Sequence, residues 1–426
     1  MKTVLIITYY WPPSGGSGVQ RWLKFANYLT ELGWHPIVVT PENPQFDLHD
    51  PSLERDVNGD IEVLKLPIWE PYQVFDRIRG SAKHEQGHTS IAPWAKFIRG
   101  NFFLPDPRIF WKRPVVKFLG EYLKQRNVDF IVSTGPPHSM HLIARKLKKR
   151  FKIPWLADFR DPWSGWDMLK EFHTTKLARS VHNRLEQKVM QEADVVLTVS
   201  STWAREMETR HKRKVEVITN GFDEKDFPGS KVKDPDKFRV SHFGLINEFR
   251  YAPEFWNMLN SLCAANMEFA NDLEIDLYGV TDHNVRSKLE DLGGLKDSLN
   301  FHGSVSHDKV LGAYKDAAIV LLFMNQSDNA GGHIPGKLFE YLAAGRPILA
   351  LGDPDGDAAQ IINYTDSGVV INYGDVNAIQ KQLMEWYDCY RSNTLSAGNE
   401  QKIQEFSRKE LAAQLVELLD RYADRP

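Results

Sequence analysis

The sequence predicts an α/β protein of two doubly wound parallel-sheet domains facing a central cleft. Three observations carry that expectation. Short β-branched runs alternate with longer amphipathic stretches along the chain, the order of strand and crossover helix in βαβ units. Several of these runs are almost wholly apolar, as parallel strands covered on both faces must be. The alternation stops once, after Asn220-Gly221, and then resumes.

In the first half, strands are expected at Thr3–Thr8, Pro36–Thr40, Ile61–Leu66, Phe130–Thr134, Trp155–Phe159, Val195–Ser200 and Val215–Thr219. Helical patterns such as Val19–Leu32, His138–Arg150 and Lys176–Glu192 lie between them. Residues 222–237 hold Asp, Lys, Gly and Pro without a period and read as a linker. Beyond it, strands are expected at Arg239–Phe243, Leu273–Tyr278, Leu299–His302, Ala318–Phe323, Pro347–Leu351 and Val369–Ile371. Two Rossmann-like domains follow, at 1–222 and 238–404, with a closing helix near 407–426 packing back on the first. Open sheets of this kind bind ligands beyond the carboxyl ends of their strands. Residues 69–111 interrupt the alternation with Pro, Gly, aromatics and bases, among them Trp94, Phe97, Arg99, Phe102 and Phe103. Two readings fit this segment: a surface insertion, or an element facing a partner or a membrane.

At 426 residues the chain is long for one core. Its 42% apolar and 26% charged residues are ordinary for a globular protein. A net charge of −3 offers no bulk reason to bind nucleic acid, and no nucleic-acid partner is expected. Cys263 and Cys389 can build neither a disulfide framework nor a Cys-rich zinc site, which suits a reducing cytosol. The apolar run Val4–Ile7 follows Lys2 as in a leader, but it soon gives way to Tyr9-Tyr10-Trp11-Pro12-Pro13 and reads as a buried first strand. No run is long enough to cross a bilayer. The expected location is therefore cytoplasmic. The basic clusters Lys146–Lys152 and His211–Lys214 read either as solvated helix ends or as contacts to the anionic inner face of a membrane.

In the second half, a strand runs into the polar loop Asn325–His333, and Pro335-Gly336 then opens a helix that Gly345 ends. The free N–H groups of that helix start make an anion site at the carboxyl end of the sheet, and Lys337 adds a cation. Lys337 and Glu340 are three apart and share a helix face, whereas Leu338, Tyr341 and Leu342 face the core. They form either a solvated ion pair or a phosphate cation with an acceptor for a sugar diol. The loop–Pro–Gly context favours the second. Gly331-x4-Gly336-Lys337 also has P-loop spacing, but Leu338 stands where Ser or Thr would hold Mg²⁺. Arg250, after the strand ending in Phe243-Gly244, is the second cation for a diphosphate. His302-Gly303 ends a strand where a nucleobase can rest. Asp353-Pro354-Asp355-Gly356-Asp357 fails the calcium-loop pattern at Ala358 and Tyr364 and reads as an acidic loop, so no metal site is expected.

In the first half, Ser14-Gly15-Gly16-Ser17-Gly18 follows the first strand. Arg21 occupies the third glycine of a G-x-G-x-x-G pattern, which argues against NAD. The loop is either a simple tight turn or a place where backbone approaches a sugar donor. Asp158-Phe159-Arg160-Asp161-Pro162-Trp163 ends a strand at the ligand edge. Its carboxylates can bind sugar hydroxyls, one can act as a base, or both can pair with Arg160 to fix the loop. His138, at a helix start after Pro136-Pro137, is expected to be neutral and able to hydrogen-bond a substrate.

These residues together resemble the GT-B glycosyltransferases of family 4, which are retaining sugar transferases. The likeness rests on Gly15-Gly16 with Arg21, Pro136-Pro137-His138-Ser139, Asp158–Trp163, Val199-Ser200, Ile218–Asp223, Phe243-Gly244 and, most specifically, Gly336–Pro347. It implies that Glu340 is the second glutamate of the family's E-x7-E motif and binds the donor ribose. It also implies that Gly336, Lys337 and Leu338 give N–H groups to the diphosphate, and that Gly15 and Gly16 approach the donor. The first glutamate of the motif falls at Gly332, where Asn329 or His333 would substitute; Leu245 stands where many members carry a base, with Arg250 covering that charge. Transfer from a nucleotide-diphosphate sugar, without cofactor or obligatory metal, to a glycan or lipid-linked acceptor in surface polysaccharide synthesis is implied. Asp158, Arg160, Asp161 and His138 are the candidate catalytic side chains. A sugar-nucleotide epimerase or hydrolase of the same fold, and a non-catalytic sugar-nucleotide-binding protein, are the competing readings.

Overall fold

Val4 and Ile6 enter one apolar cluster, while Leu5 and Ile7 enter another on the opposite face. All four are fully buried, because this strand lies inside a sheet covered on both sides. The computed structural model describes residues 1–46, 48–71, 93–165, 172–227, 235–326, 330–396 and 398–424. The chain forms two units, one of Met1–Thr219 with Leu411–Pro426 and one of Asn220–Glu410.

The first unit holds a parallel sheet of β1 (Lys2–Ile7), β2 (Trp34–Pro41), β3 (Glu62–Leu66), β4 (Phe130–Gly135), β5 (Trp155–Phe159), β6 (Val195–Thr198) and β7 (Glu216–Val217). Their order is β3-β2-β1-β4-β5-β6-β7, so the strand order reverses between β1 and β4. Each expected strand is present. The last is shorter than expected, because the carbonyls of Ile218 and Thr219 accept from the Arg21 guanidinium at 2.9 and 2.7 Å. The helix Ser17–Glu31 lays Val19, Trp22, Leu23, Ala26 and Leu29 on one face of the sheet. Leu411, Ala412, Leu415, Leu418 and Leu419 of the helix Arg408–Ala423 join the same cluster at helical spacing.

The second unit repeats the plan with β8 (Phe238–Phe243), β9 (Leu273–Tyr278), β10 (Leu299–Gly303), β11 (Ile319–Phe323), β12 (Ile348–Leu351) and β13 (Gly368–Ile371). All pairs are parallel, in the order β10-β9-β8-β11-β12-β13, with the reversal between β8 and β11. The expected linker is partly built into this unit. Phe222 is buried in its core, and Glu224–Asp226 form a 3-10 turn; residues 228–234 of the linker lie outside the described residues. Residues 72–92 of the interrupting segment are likewise outside them, but the helix Pro93–Phe102 and the turn Pro107–Trp111 are ordered parts of the first unit. Among the described residues, no helix is long and apolar enough to cross a membrane.

Candidate active site

In an open α/β sheet, the crevice at the strand-order reversal is where loops part and ligands enter. In the second unit that crevice is bounded by the loops leaving β8 and β11. Arg250, on the first loop, donates from Nε to Asn325 Oδ1 of the second loop at 3.1 Å and from Nη1 to the Leu245 carbonyl at 3.2 Å. Lys337 reaches back from the following helix and donates to the Phe243 carbonyl at the end of β8. It can do so because Gly244 has no side chain: a Cβ there would lie 2.9 Å from Lys337 Nζ, and its φ of +148° suits glycine.

Lys337 and Glu340 do not pair with each other as a surface couple would. Glu340 accepts from Tyr314 Oη at 2.5 Å. Tyr314 is fully buried, and burial first, then the Glu340 charge, pushes its phenol pKa up. The carboxylate is thus aimed by a core tyrosine. Burial lowers the Lys337 pKa to about 8, with Arg250 lowering it further and Glu340 opposing. Neither Lys337 nor Arg250 has a carboxylate within ion-pair distance among the described residues. Two cations held near one another, one of them largely desolvated, make an arrangement that an anion relieves.

The helix start adds donors, though not all those expected. Pro335 is the cap rather than the first helical residue, and its carbonyl takes the Leu338 N–H at 3.0 Å. The expectation that Leu338 offers its N–H to a diphosphate is therefore corrected: that donor closes the first turn. The N–H groups of Gly336 and Lys337 lie ahead of it. Gly332 is buried in a short 3-10 turn, Ala330–Gly332, and offers only backbone where the family motif has its first glutamate. His333 follows that turn, half-buried, with its N–H on the Ala330 carbonyl at 3.0 Å, and Asn329 lies outside the described residues.

His242 belongs to this site and was not singled out from the sequence. Its Nδ1 lies 2.9 Å from the Leu321 carbonyl, so that nitrogen must carry the proton. Burial lowers its pKa to about 3, and its Nε2 has no hydrogen-bond partner among the described residues. A Cβ on Gly244 would lie 3.5 Å from that Nε2 and 2.9 Å from Lys337 Nζ, so both nitrogens face the same spot. His302 is two strands away, joined to the crevice by a stack. Its ring lies 4.1 Å from Tyr278, which also stacks on Phe243 at 4.8 Å, both pairs nearly parallel. Its Nε2 meets Asp276 Oδ1 at 2.6 Å. Gly303, exposed at the end of β10, has a φ of +65°. Asp353 accepts from the Asp355 N–H at 3.0 Å within a turn leading into the helix Asp357–Tyr364.

In the first unit the reversal lies between β1 and β4, and the glycine loop and the Pro136-Pro137-His138 turn flank it. Arg160 clamps them, donating to the Gly18 carbonyl at 2.7 Å and the Pro136 carbonyl at 2.6 Å. The expected Asp–Arg160 pairing is replaced by this clamp in the case of Asp158. That carboxylate is wholly buried and accepts from Trp22 Nε1 at 2.6 Å, Thr134 Oγ1 at 2.8 Å and Arg21 Nη2 at 3.3 Å. Asp158 is therefore corrected from a group open to substrate to a buried structural anion. Asp161, the next carboxylate, is half-buried at the bend after β5. Gly15 is less open than expected, since its N–H goes to the Leu48 carbonyl at 2.9 Å. Gly16 is exposed and caps the first helix with φ +86°.

His138 is buried and stacks on Trp163 at 4.6 Å, with neither ring nitrogen partnered among the described residues. It is held neutral as expected, but chiefly by burial. His141, beside it, is tied to the core through Ser133: its Nδ1 lies 2.9 Å from Ser133 Oγ, which also accepts from Trp155 Nε1 at 2.8 Å.

Sequence comparison agrees with this geometry. The family described as "Glycosyl transferase 4-like domain" matches residues 15–221, and "Glycosyl transferases group 1" matches residues 255–388. The chain belongs to the GT-B glycosyltransferases, with a first domain of the 4-like type and a second of group 1. No curated protein matches it by sequence. Among solved structures it is similar to sucrose-phosphate synthase from Thermosynechococcus elongatus, with a TM-score of 0.62 and 15% identity over 99% of each chain. A glycosyltransferase from Rickettsia africae gives a TM-score of 0.64 and 14% identity, covering 100% of this chain and 99% of that one. Anabaena HepE in complex with UDP gives 0.62 and 14%, covering 99% of this chain and 100% of its own. At these identities the likeness is one of fold.

Proposed function

We propose that the enzyme moves a sugar, with retention of configuration, from a nucleotide-diphosphate sugar to a hydroxyl of a glycan or lipid-linked acceptor in surface polysaccharide synthesis. The observation that carries this is the Lys337–Arg250 pair, unmatched by a carboxylate and set beside the free N–H groups of Gly336 and Lys337. That is a diphosphate site, and Glu340, aimed by Tyr314, is placed to accept from ribose hydroxyls. HepE has been solved with UDP and with UDP-glucose, which supports a donor of that class here. As the bond to the sugar breaks, charge develops on the leaving diphosphate; Lys337, Arg250 and the helix start stabilise it. In this reading the acceptor attacks from the face the diphosphate leaves, no metal is required, and His138 and Asp161 contact hydroxyls in the first unit. The enzyme works in the cytoplasm, at the inner face of a membrane.

The test is incubation with UDP-, GDP- and ADP-sugars, with and without a hydroxyl acceptor, following the anomeric proton by NMR. A new glycoside with the donor's anomeric configuration is expected. Inversion, or full turnover without acceptor, would overturn the reading. A second expectation concerns pH. Donor binding draws on the protonated Lys337, whose pKa in the free enzyme is about 8. A diphosphate diester does not itself titrate in that range. Affinity is therefore flat below about pH 8 and falls above it, towards tenfold per unit, until the raised pKa of the complex is reached. Calorimetric titration from neutral to alkaline pH reads this directly, and a flat profile would remove Lys337 from the site.

A further inference from the structure

Among the described residues, every exposed Trp and Phe of the first unit lies between residues 69 and 118: Trp69, Trp94, Phe97, Phe102, Phe110 and Phe118. Phe102 is 72% exposed. Among its described residues, the second unit has only Phe249 exposed in this way. Aromatic side chains left exposed along one stretch of a chain need a reason, since each leaves a large apolar area in water. The rings are not scattered. Trp69 meets Phe110 edge-on at 4.9 Å, and Phe103 meets the same ring at 5.9 Å. Trp94 and Phe97 lie one helical turn apart on the helix Pro93–Phe102, whose buried position, Gly100, faces Phe172 and Thr174.

The charge of this stretch is equally one-sided. Residues 93–126 contain eight Lys and Arg against Asp106 and Glu121, in a chain whose net charge is −3. Both acids are engaged. Asp106 accepts from the N–H and hydroxyl of Ser139, and Glu121 pairs with Lys124. Lys112, Arg113, Lys117 and Lys146 form no ion pair among the described residues. They come from the helices Lys112–Gln125 and Ser139–Phe151, which pack on each other. Burial, then Arg145, Lys146 and Arg113, lowers the Lys112 pKa, as expected of bases crowded without counter-charge.

We infer that the surface carrying Phe102, Phe110, Phe118, Arg113 and Lys117 docks the first unit on an anionic lipid bilayer. Exposed Phe side chains bury at the boundary between headgroups and acyl chains, and bases beside them gain from the negative surface potential. A protein interface would instead concentrate its aromatics in a core depleted of charge. This gives a physical surface to the membrane location proposed above but does not depend on the transfer reaction.

The experiment is co-sedimentation of the full chain with vesicles of phosphatidylcholine alone, or with added phosphatidylglycerol, in the absence of donor and acceptor. Binding to the anionic vesicles is expected, weakening with salt. Two double variants, F102S/F110S and R113E/K117E, should each lower the partition coefficient by roughly tenfold or more. Both alter exposed positions, and thermal unfolding checks that each variant folds. Absence of binding, equal binding to both vesicle types, or variants that bind as the parent does would overturn the inference. Binding of UDP in solution, measured on the same variants, keeps this outcome separate from the donor site: an inactive enzyme that still sediments leaves the surface standing.

Discussion

Replacing Asp158 with Ala is expected to destabilise the first unit by about 3–5 kcal/mol, because it strands a buried guanidinium. Asp158 and Arg21 are both almost wholly inaccessible, and the carboxylate also holds the Trp22 indole and the Thr134 hydroxyl. Removing it leaves the Trp22 and Thr134 donors unpaired and the Arg21 charge unmatched, in a region that water does not reach. The two carbonyls of Ile218 and Thr219 cannot neutralise the Arg21 charge that remains. Burial already lowers the Arg21 pKa against the pull of Asp158. Asp158→Asn keeps the shape and part of the hydrogen bonding and should cost less. Urea unfolding of both variants, followed by tryptophan fluorescence, measures the loss. A variant that retains parental stability but loses activity would return Asp158 to the chemistry.

Lys337→Met should leave the fold intact and weaken UDP binding by roughly ten- to a hundredfold, the range of a lost charge-assisted hydrogen bond of about 1.5–3 kcal/mol. Methionine keeps the stem that packs over Gly244 and removes only the ammonium. Because burial already taxes that ammonium, the folded state should tolerate its removal. The same variant should abolish the decline of affinity above about pH 8. An unchanged dissociation constant, or a pH profile that persists in the variant, would show that the diphosphate is held elsewhere.

Much of this was legible in the sequence, for identifiable reasons. A parallel strand covered on both faces must be apolar throughout, so Val4–Ile7 and Ile319–Phe323 announce themselves without any partner in view. Glycine ends a helix by entering the left-handed region, and Gly345 does so at φ +65°. The helix-start site at Gly336-Lys337 and the carboxylate at Glu340 follow from such local rules and from the family likeness.

What sequence could not decide was which polar groups face inward. Asp158 and Arg160 are two residues apart at a strand end and looked alike as candidates. Tertiary packing spends the first on Arg21, 137 positions away, and turns the second into a clamp on two loops. His242 is invisible for the same reason. Nothing local marks a histidine whose Nδ1 is tied to Leu321 on a neighbouring strand while its Nε2 faces Lys337. Tyr314 reads as core and is core, yet its hydroxyl orients Glu340. Periodicity and backbone rules act over a few residues, so the sequence alone determined the strands, the helix starts and the class of enzyme. Hydrogen-bond partners and desolvation are set by residues far apart in the chain, so only the tertiary structure decided which of its charges are left for a ligand.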